Sequence, residues 1–274
     1  GAKPVFIDSE NETWNMDPKL LESAIEDRIK NKGKVPKAII VVELYGMPAK
    51  IDEIRAIASK YNIPIIEDSA EALGSEFKGC KCGTLTEFGI LSFNGNKIIT
   101  SSGGGALVSK NQELIEKAKF LATQARDEAP HYQHSEIGFN YRLSNVCAGI
   151  GRGQLEILEE RVKRKREIFQ LYYESLKEKY QFLKEPKNFF SNRWLTCILL
   201  NDPKLKREYL RNKLEELNIE SRPLWKPMHL QPLNQQYPFY GEGNCERIFD
   251  KGLCLPSGTA MQDETLDLII NILK

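Results

Sequence analysis

Three neighbouring segments constrain the topology of this chain more than any other feature. Ala38–Leu44 is a run of apolar and β-branched residues, Ile51–Tyr61 carries apolar residues at helical spacing, and Ile63–Glu67 is a second short apolar run. Apolar runs without polar alternation read as strands buried on both faces, the habit of parallel sheets. Parallel neighbours need a crossover, and the helical segment between the runs supplies one. The segment is therefore a βαβ unit, and the chain belongs to the α/β class with a mainly parallel sheet.

The remaining elements extend this reading. Lys3–Asp8 predicts a short strand, and Asp17–Arg28 a helix with Asp17 as its cap and Pro18 at its first position. Strands fit Gly89–Phe93 and Gly105–Ser109, and a helix fits Gln112–Gln124. From Asn145 to about Tyr180 the pattern is helical. Its charge run, Glu159–Glu167, interleaves acids with bases and reads as a solvated helix face, not a nucleic-acid patch. After Pro186 come a short strand region (Trp194–Leu200), a helix (Pro203–Leu217), a Pro-rich stretch (Arg222–Pro238) and a last helix (Asp263–Leu273). The expected organisation is a large domain over 1–150, a connecting helix over 151–185, and a smaller C-terminal α+β domain over 186–274.

Composition narrows the function. A chain of 274 residues with net charge +1 can bury a full core, and has no field to gather nucleic acid or a membrane surface. No apolar run is long enough to span a bilayer and no secretory leader is visible, so a cytoplasmic location is expected. The cysteines at 80, 82, 147, 197, 245 and 254 are expected to be free thiols. Cys80 and Cys82 are too close for a Cys-x2-Cys half-site, and the three histidines do not group with carboxylates. No metal is expected.

The chemistry concentrates between Ile65 and Val108. Ile65-Ile-Glu-Asp68 brings a carboxylate to the end of a buried strand, where open α/β sheets hold ligands. Leu91-Ser-Phe-Asn-Gly-Asn-Lys97 places a hydroxyl, Ser92, and then a lysine in a turn-like segment, followed by a Gly-rich turn over Ser101–Gly105. Pyridoxal phosphate needs a Schiff-base lysine, a carboxylate for its pyridinium nitrogen and donors for its phosphate. Lys97, Asp68 and Ser92 are candidates for the three roles. Taken alone, Asp68 is also a plausible helix cap for Ser-Ala-Glu-Ala.

Glu67-Asp68-Ser-Ala-Glu-Ala-Leu-Gly-Ser75, Ser92–Lys97 and Gly138-Phe-Asn-Tyr-Arg-Leu-Ser-Asn145 resemble the DegT/StrS-type nucleotide-sugar aminotransferases. These are fold type I (aspartate aminotransferase-like) pyridoxal-phosphate enzymes. Arg222–His229 and Gly252–Thr259 are similar to motifs of bacterial C4 aminotransferases acting on UDP-linked 4-keto-6-deoxy amino sugars. The resemblance implies Lys97 as the covalent and proton-shuttling lysine, Asp68 on the pyridinium nitrogen and Ala70 beneath the ring. It implies Glu71 near the cofactor's 3-hydroxyl, Ser92 on the phosphate, and Asn140 reaching the phosphate of a neighbouring subunit in a homodimer with shared sites. It assigns His229 to the sugar site, and Arg142, Arg193, Trp194 and Trp225 to the nucleotide-sugar pocket. Glutamate is the implied amino donor.

In that family the strand at Lys3–Asp8 follows a segment with a phosphate-cradling helix start and a ring-stacking aromatic, neither of which occurs in this sequence. The expectation is that Gly1 is not the natural start. Two alternatives accompany the aminotransferase reading. One is a non-catalytic fragment that binds a partner subunit. The other is a related sugar dehydratase, in which histidine replaces the lysine, and Lys97 argues against it.

Overall fold

The computed structural model describes every residue from Gly1 to Lys274. Its first strand, β1 (Phe6–Ile7), is short and leads to helix α1 (Pro18–Lys32). Asp17 caps α1 as the sequence predicts, accepting the Lys19 and Leu20 N–H groups, and Gly33 ends the helix at φ 60°. β2 (Ile39–Val42), α2 (Ile51–Tyr61) and β3 (Ile65–Asp68) form the crossover unit, with Ile39 opposite Ile65 and Val42 opposite Asp68. A hairpin, β4 (Glu76–Phe77) and β5 (Cys80–Lys81), follows. β6 (Phe88–Ser92) then joins β3 in parallel, and β7 (Gly105–Val108) runs antiparallel to β6. The sheet order is β2-β3-β6-β7.

One face of this sheet is closed by α1 and α2 over Leu21, Ile25, Val41, Ile54 and Ile65. The expectation that the Ala38–Leu44 strand is buried on both faces is corrected: Ile39 and Val41 are buried, but Ile40 is 57% exposed. β2 is an edge strand, and its second face is open. Cross-strand register puts Val42, Asp68 and Ile90 side by side on that open face. The sheet therefore presents Asp68 outward while burying Glu67 beneath it.

Helices α3 (Gln112–Ala122) and α4 (Asn145–Glu156) contain no buried residue, and the predicted long helix breaks at Ile157 before α5 (Leu158–Leu176). The charge run in α5 is not simply a solvated face. Val162, Lys165, Ile168, Phe169 and Tyr172 are buried together, because their spacing places them on one side of the helix. Lys165 is tolerated there because its ammonium donates to the carbonyls of Trp194 and Ser257, both at 2.9 Å.

The C-terminal part holds β8 (Tyr180–Phe182), β9 (Phe189–Phe190), β10 (Thr196–Leu200), α6 (Arg207–Glu215), β11 (Arg222–Pro223), β12 (Phe239–Tyr240), α7 (Asn244–Lys251), β13 (Gly252–Leu255) and α8 (Asp263–Leu273). Its antiparallel sheet, β11-β13-β10-β8, packs against α5, α6 and α8 around Ile168, Tyr172, Ile198, Leu214 and Ile269. α6 starts at Arg207 and not at Pro203, since Asp202 accepts the Lys204 N–H and holds a turn there. Two pairings stitch the parts together: β9 adds to β4, and β1 runs parallel to β12. No helix is long and apolar enough to cross a membrane.

Candidate active site

Asp68 is the last residue of β3 and is half-buried. Its carboxylate accepts the Ala70 N–H at 3.2 Å and pairs with no cation of the chain. No helix follows it, so the capping alternative falls away. Ser92 ends β6 two residues beyond Ile90, on the same face as Asp68. Its oxygen accepts the Asn94 N–H at 3.4 Å, which leaves its own proton free to donate.

Lys97 lies in the turn after β6, where its N–H donates to the Asn94 carbonyl at 3.1 Å. Its ammonium stands 3.5 Å from Glu71 Oε1 and 4.4 Å from the centre of the Trp194 ring. Glu71 is fixed by two further donors, the Tyr45 N–H at 2.7 Å and the Trp225 indole N–H at 3.4 Å. Burial raises the Glu71 carboxyl above its ordinary range, opposed by the Tyr45 N–H and by Lys97. The Trp194 indole donates to the Asn96 carbonyl at 2.8 Å, so the ring and the lysine turn are locked to one another.

Two residues that sequence reasoning missed hold this arrangement. Tyr45 sits at φ 58° in the turn after β2, and its hydroxyl accepts the Trp225 N–H at 2.8 Å. The turn is tight because Gly46, at φ 85°, has Asn192 where a Cβ would lie. Asn192 is fully buried: its amide donates to the Glu71 and Leu73 carbonyls, both at 2.9 Å, and its oxygen accepts the Trp194 N–H at 2.8 Å. An aromatic-glycine pair after a buried strand was the available signal for Tyr45. Asn192 left none, because its partners lie far away in sequence.

The structure thus gathers Asp68, Ala70, Glu71, Ser92, Lys97, Trp194 and Trp225 at the carboxyl end of the parallel strands. It does not bring in Arg193, which is 6% exposed and faces the other way. Its guanidinium donates to the Leu183 carbonyl at 2.6 Å, lies 3.7 Å from Glu185 and covers Phe169. Burial lowers its pKa to about 10. Asn140 and Arg142 lie on the exposed segment between α3 and α4, where Asn140 bridges Thr123. His229 is stacked on Phe239 at 3.7 Å, with Nε2 3.0 Å from Glu246.

A protected lysine, an uncompensated carboxylate on the same strand ends and a free hydroxyl form a donor set that fits pyridoxal phosphate. Asp68 would hold the pyridinium nitrogen, Lys97 the carbonyl carbon and Ser92 a phosphate oxygen. Fold and site together define a fold type I aminotransferase that uses pyridoxal phosphate.

Comparison with known proteins narrows this. The DegT/DnrJ/EryC1/StrS aminotransferase family model matches residues 1–274. EpsN of Bacillus subtilis, named a pyridoxal phosphate-dependent aminotransferase, is 52% identical over 99% of this chain and 71% of its own length. The GDP-perosamine synthase of Escherichia coli O157:H7 is 38% identical over 96% of this chain and 70% of its own length. A DegT DnrJ EryC1 StrS aminotransferase structure from Brucella abortus superposes with a TM-score of 0.93 at 30% identity, covering 100% of this chain and 73% of that one. The chain belongs to the DegT/DnrJ/EryC1/StrS aminotransferase family.

Proposed function

We propose that the protein transfers an amino group from glutamate to C4 of a UDP-linked 4-keto-6-deoxy amino sugar, as a cytoplasmic homodimer with shared active sites. The reading is carried by the placement of Lys97 between Glu71 and Trp194, within the fold that presents Asp68 and Ser92. When bound, pyridoxal phosphate supplies the electron sink for amino transfer. Lys97 is the covalent partner and moves the proton at the substrate carbon. Whenever its amine is free of that covalent bond, Glu71 and the Trp194 ring hold it in place and keep it out of bulk water.

Asp68 would keep the ring nitrogen cationic, Ala70 would pack against the ring, and Ser92 would donate to the phosphate. Trp225, half-buried, offers an apolar face to a sugar, whereas Trp194 is only 3% exposed and its ring is taken up by Lys97, so its assignment to the sugar-nucleotide pocket is withdrawn. His229 and Arg142 are assigned to the sugar nucleotide, and Asn140 to the phosphate of the neighbouring subunit. The UDP and C4 assignments rest on the resemblance of Arg222–His229 and Gly252–Thr259 to C4 aminotransferases. The test is to load the purified protein with pyridoxal phosphate, follow its absorption on adding glutamate, and then supply UDP- and GDP-linked 4-keto sugars. Amination at C4 of the UDP sugar is expected. A protein that glutamate does not change, or that aminates only the GDP sugar, overturns the corresponding part of the proposal.

A further inference from the structure

Directly behind Asp68, on the covered face of the sheet, lies a closed polar cluster of Glu43, Glu67 and Cys82. Glu43 and Glu67 are 0% exposed and Cys82 is 4% exposed. The carboxylate and thiol atoms of the three lie within 4.8 Å of one another. Glu67 is fully engaged, one oxygen accepting the Gly83 N–H at 2.6 Å and the other the Leu85 N–H at 2.9 Å. Glu43 Oε2 accepts the Ser69 hydroxyl at 2.7 Å, but Glu43 Oε1 has no N–H or O–H donor, only the weakly donating Cys82 thiol beside the carboxyl. Two carboxylates cannot both stay ionised so close together without water or a cation, and a buried oxygen is rarely left unpaired.

We propose that Glu43 is a carboxylic acid whose proton sits on Oε1 and bridges to Glu67, and that this bridged pair is a positioning element holding Asp68 from behind. The proton is placed on Glu43 because both Glu67 oxygens already accept backbone N–H groups, whereas Glu43 has one hydroxyl and a weakly donating thiol. The link to Asp68 is direct. The Glu43 N–H donates to the Asp68 carbonyl at 3.1 Å, and the Glu43 carboxyl holds Ser69, the next residue. Asp68 is thereby gripped from both sides.

The surroundings agree. Burial and then the nearby Glu67 push the Glu43 carboxyl well above its ordinary value of 4.5, and burial pushes the Cys82 thiol up, so it stays a neutral S–H. The groups facing Glu43 are Glu67 on β3 and Cys82 after β5, with Glu76 of β4 beyond Cys82; none is a cation. A metal ion fits poorly, since only one carboxylate oxygen and one thiol remain uncommitted, fewer than a zinc site needs.

The position of Asp68 at the cofactor rests on the proposed function, but the proton on Glu43 does not, and the two are read separately. Glu43→Gln is isosteric and permanently neutral, and its amide can donate to Glu67 while its oxygen accepts from Ser69. A carboxyl pKa raised by folding makes stability fall as pH rises above 4.5. Denaturant unfolding of the purified protein between about pH 5 and pH 9 should show that fall, and Glu43→Gln should flatten it. Pyridoxal phosphate affinity should stay within about twofold in Glu43→Gln and drop about tenfold or more in Glu43→Ala, which leaves Ser69 and Glu67 unpaired. A Gln variant with the parent's pH slope, or one that loses cofactor as Ala does, overturns the proposal. So does stoichiometric zinc in the purified protein. If the Gln variant does not fold, the infrared band of a protonated carboxyl at neutral pH in the parent protein decides, and its absence overturns the proposal.

Discussion

The Lys97 ammonium lies 3.5 Å from Glu71 Oε1, and each of the two side chains is only 13% exposed. At that burial the pair is neither a screened surface bridge nor a fully dry one, so it steers the lysine without trapping it. Glu71 in turn takes its orientation from the Tyr45 N–H, and Tyr45 from the strained turn closed by Asn192. The position of one reactive amine is therefore set by backbone geometry after β2, by the 68–75 loop and by the strand region at 192–194.

Lys97→Ala should leave the fold intact and abolish amino transfer, because no other lysine reaches Glu71. A loss of at least about 10²–10⁴-fold is expected from removing the proton shuttle alone. Glu71→Gln keeps an acceptor for the Tyr45 N–H but removes the charge facing Lys97. Its effect should fall on turnover and its pH profile more than on stability. Single-turnover kinetics with glutamate check both. Retained amino transfer in Lys97→Ala ends the assignment.

Asp68→Asn tests the uncompensated carboxylate. The Asp68 carboxylate hydrogen-bonds only the Ala70 N–H within the chain, so the substitution should change stability by less than about 1 kcal/mol. If Asp68 instead faces a cationic ring nitrogen, cofactor affinity and activity should both fall steeply. Equilibrium dialysis of pyridoxal phosphate against the variant separates these outcomes.

Gly46 and Asn192 should behave as one unit. Gly46→Ala puts a Cβ at φ 85° into the Asn192 amide, and should destabilise by about 1–3 kcal/mol. Asn192→Ala removes three side-chain hydrogen bonds and strands the Leu73 carbonyl, the Glu71 carbonyl and the Trp194 N–H, for roughly 3 kcal/mol. In the double variant the overlap has gone, so its destabilisation should be smaller than the sum of the two single effects. Urea unfolding of the four proteins measures that coupling, and strict additivity would show that the contact is irrelevant.

Much of this architecture is legible in the chain. Runs of β-branched residues around an amphipathic helix fix the βαβ unit, and strand ends then carry Asp68 and Ser92 to one face by simple alternation. What stays hidden is made by distance. Asn192 meets Ser75 across 117 positions, and nothing local marks an asparagine as a hub. The family resemblance places Arg193 beside Trp194 in the pocket, yet the two neighbouring side chains part company. Trp194 turns to Lys97, and Arg193 turns to Glu185 and Phe169. The basic run of α5 misleads for a related reason: charge spacing says nothing about which carbonyls a buried lysine will find.

That buried lysine supplies a pH test with a definite sign. Lys165 bonds the carbonyls of Trp194 and Ser257, and burial, helped by Arg161, lowers its pKa from 10.5 to about 8. Between pH 8 and pH 10.5 the unfolded chain still binds this proton and the folded one does not, so the contribution of Lys165 to stability rises across that window. Below about pH 8 the buried charge is a standing cost of a few kcal/mol at most, offset in part by its two hydrogen bonds. Lys165→Met should remove the rise and, by orphaning the Trp194 carbonyl, loosen the ring that covers Lys97. Unfolding midpoints across the window, with near-ultraviolet circular dichroism of the tryptophans, read both effects. A Met variant that retains the alkaline rise would place its origin in another group.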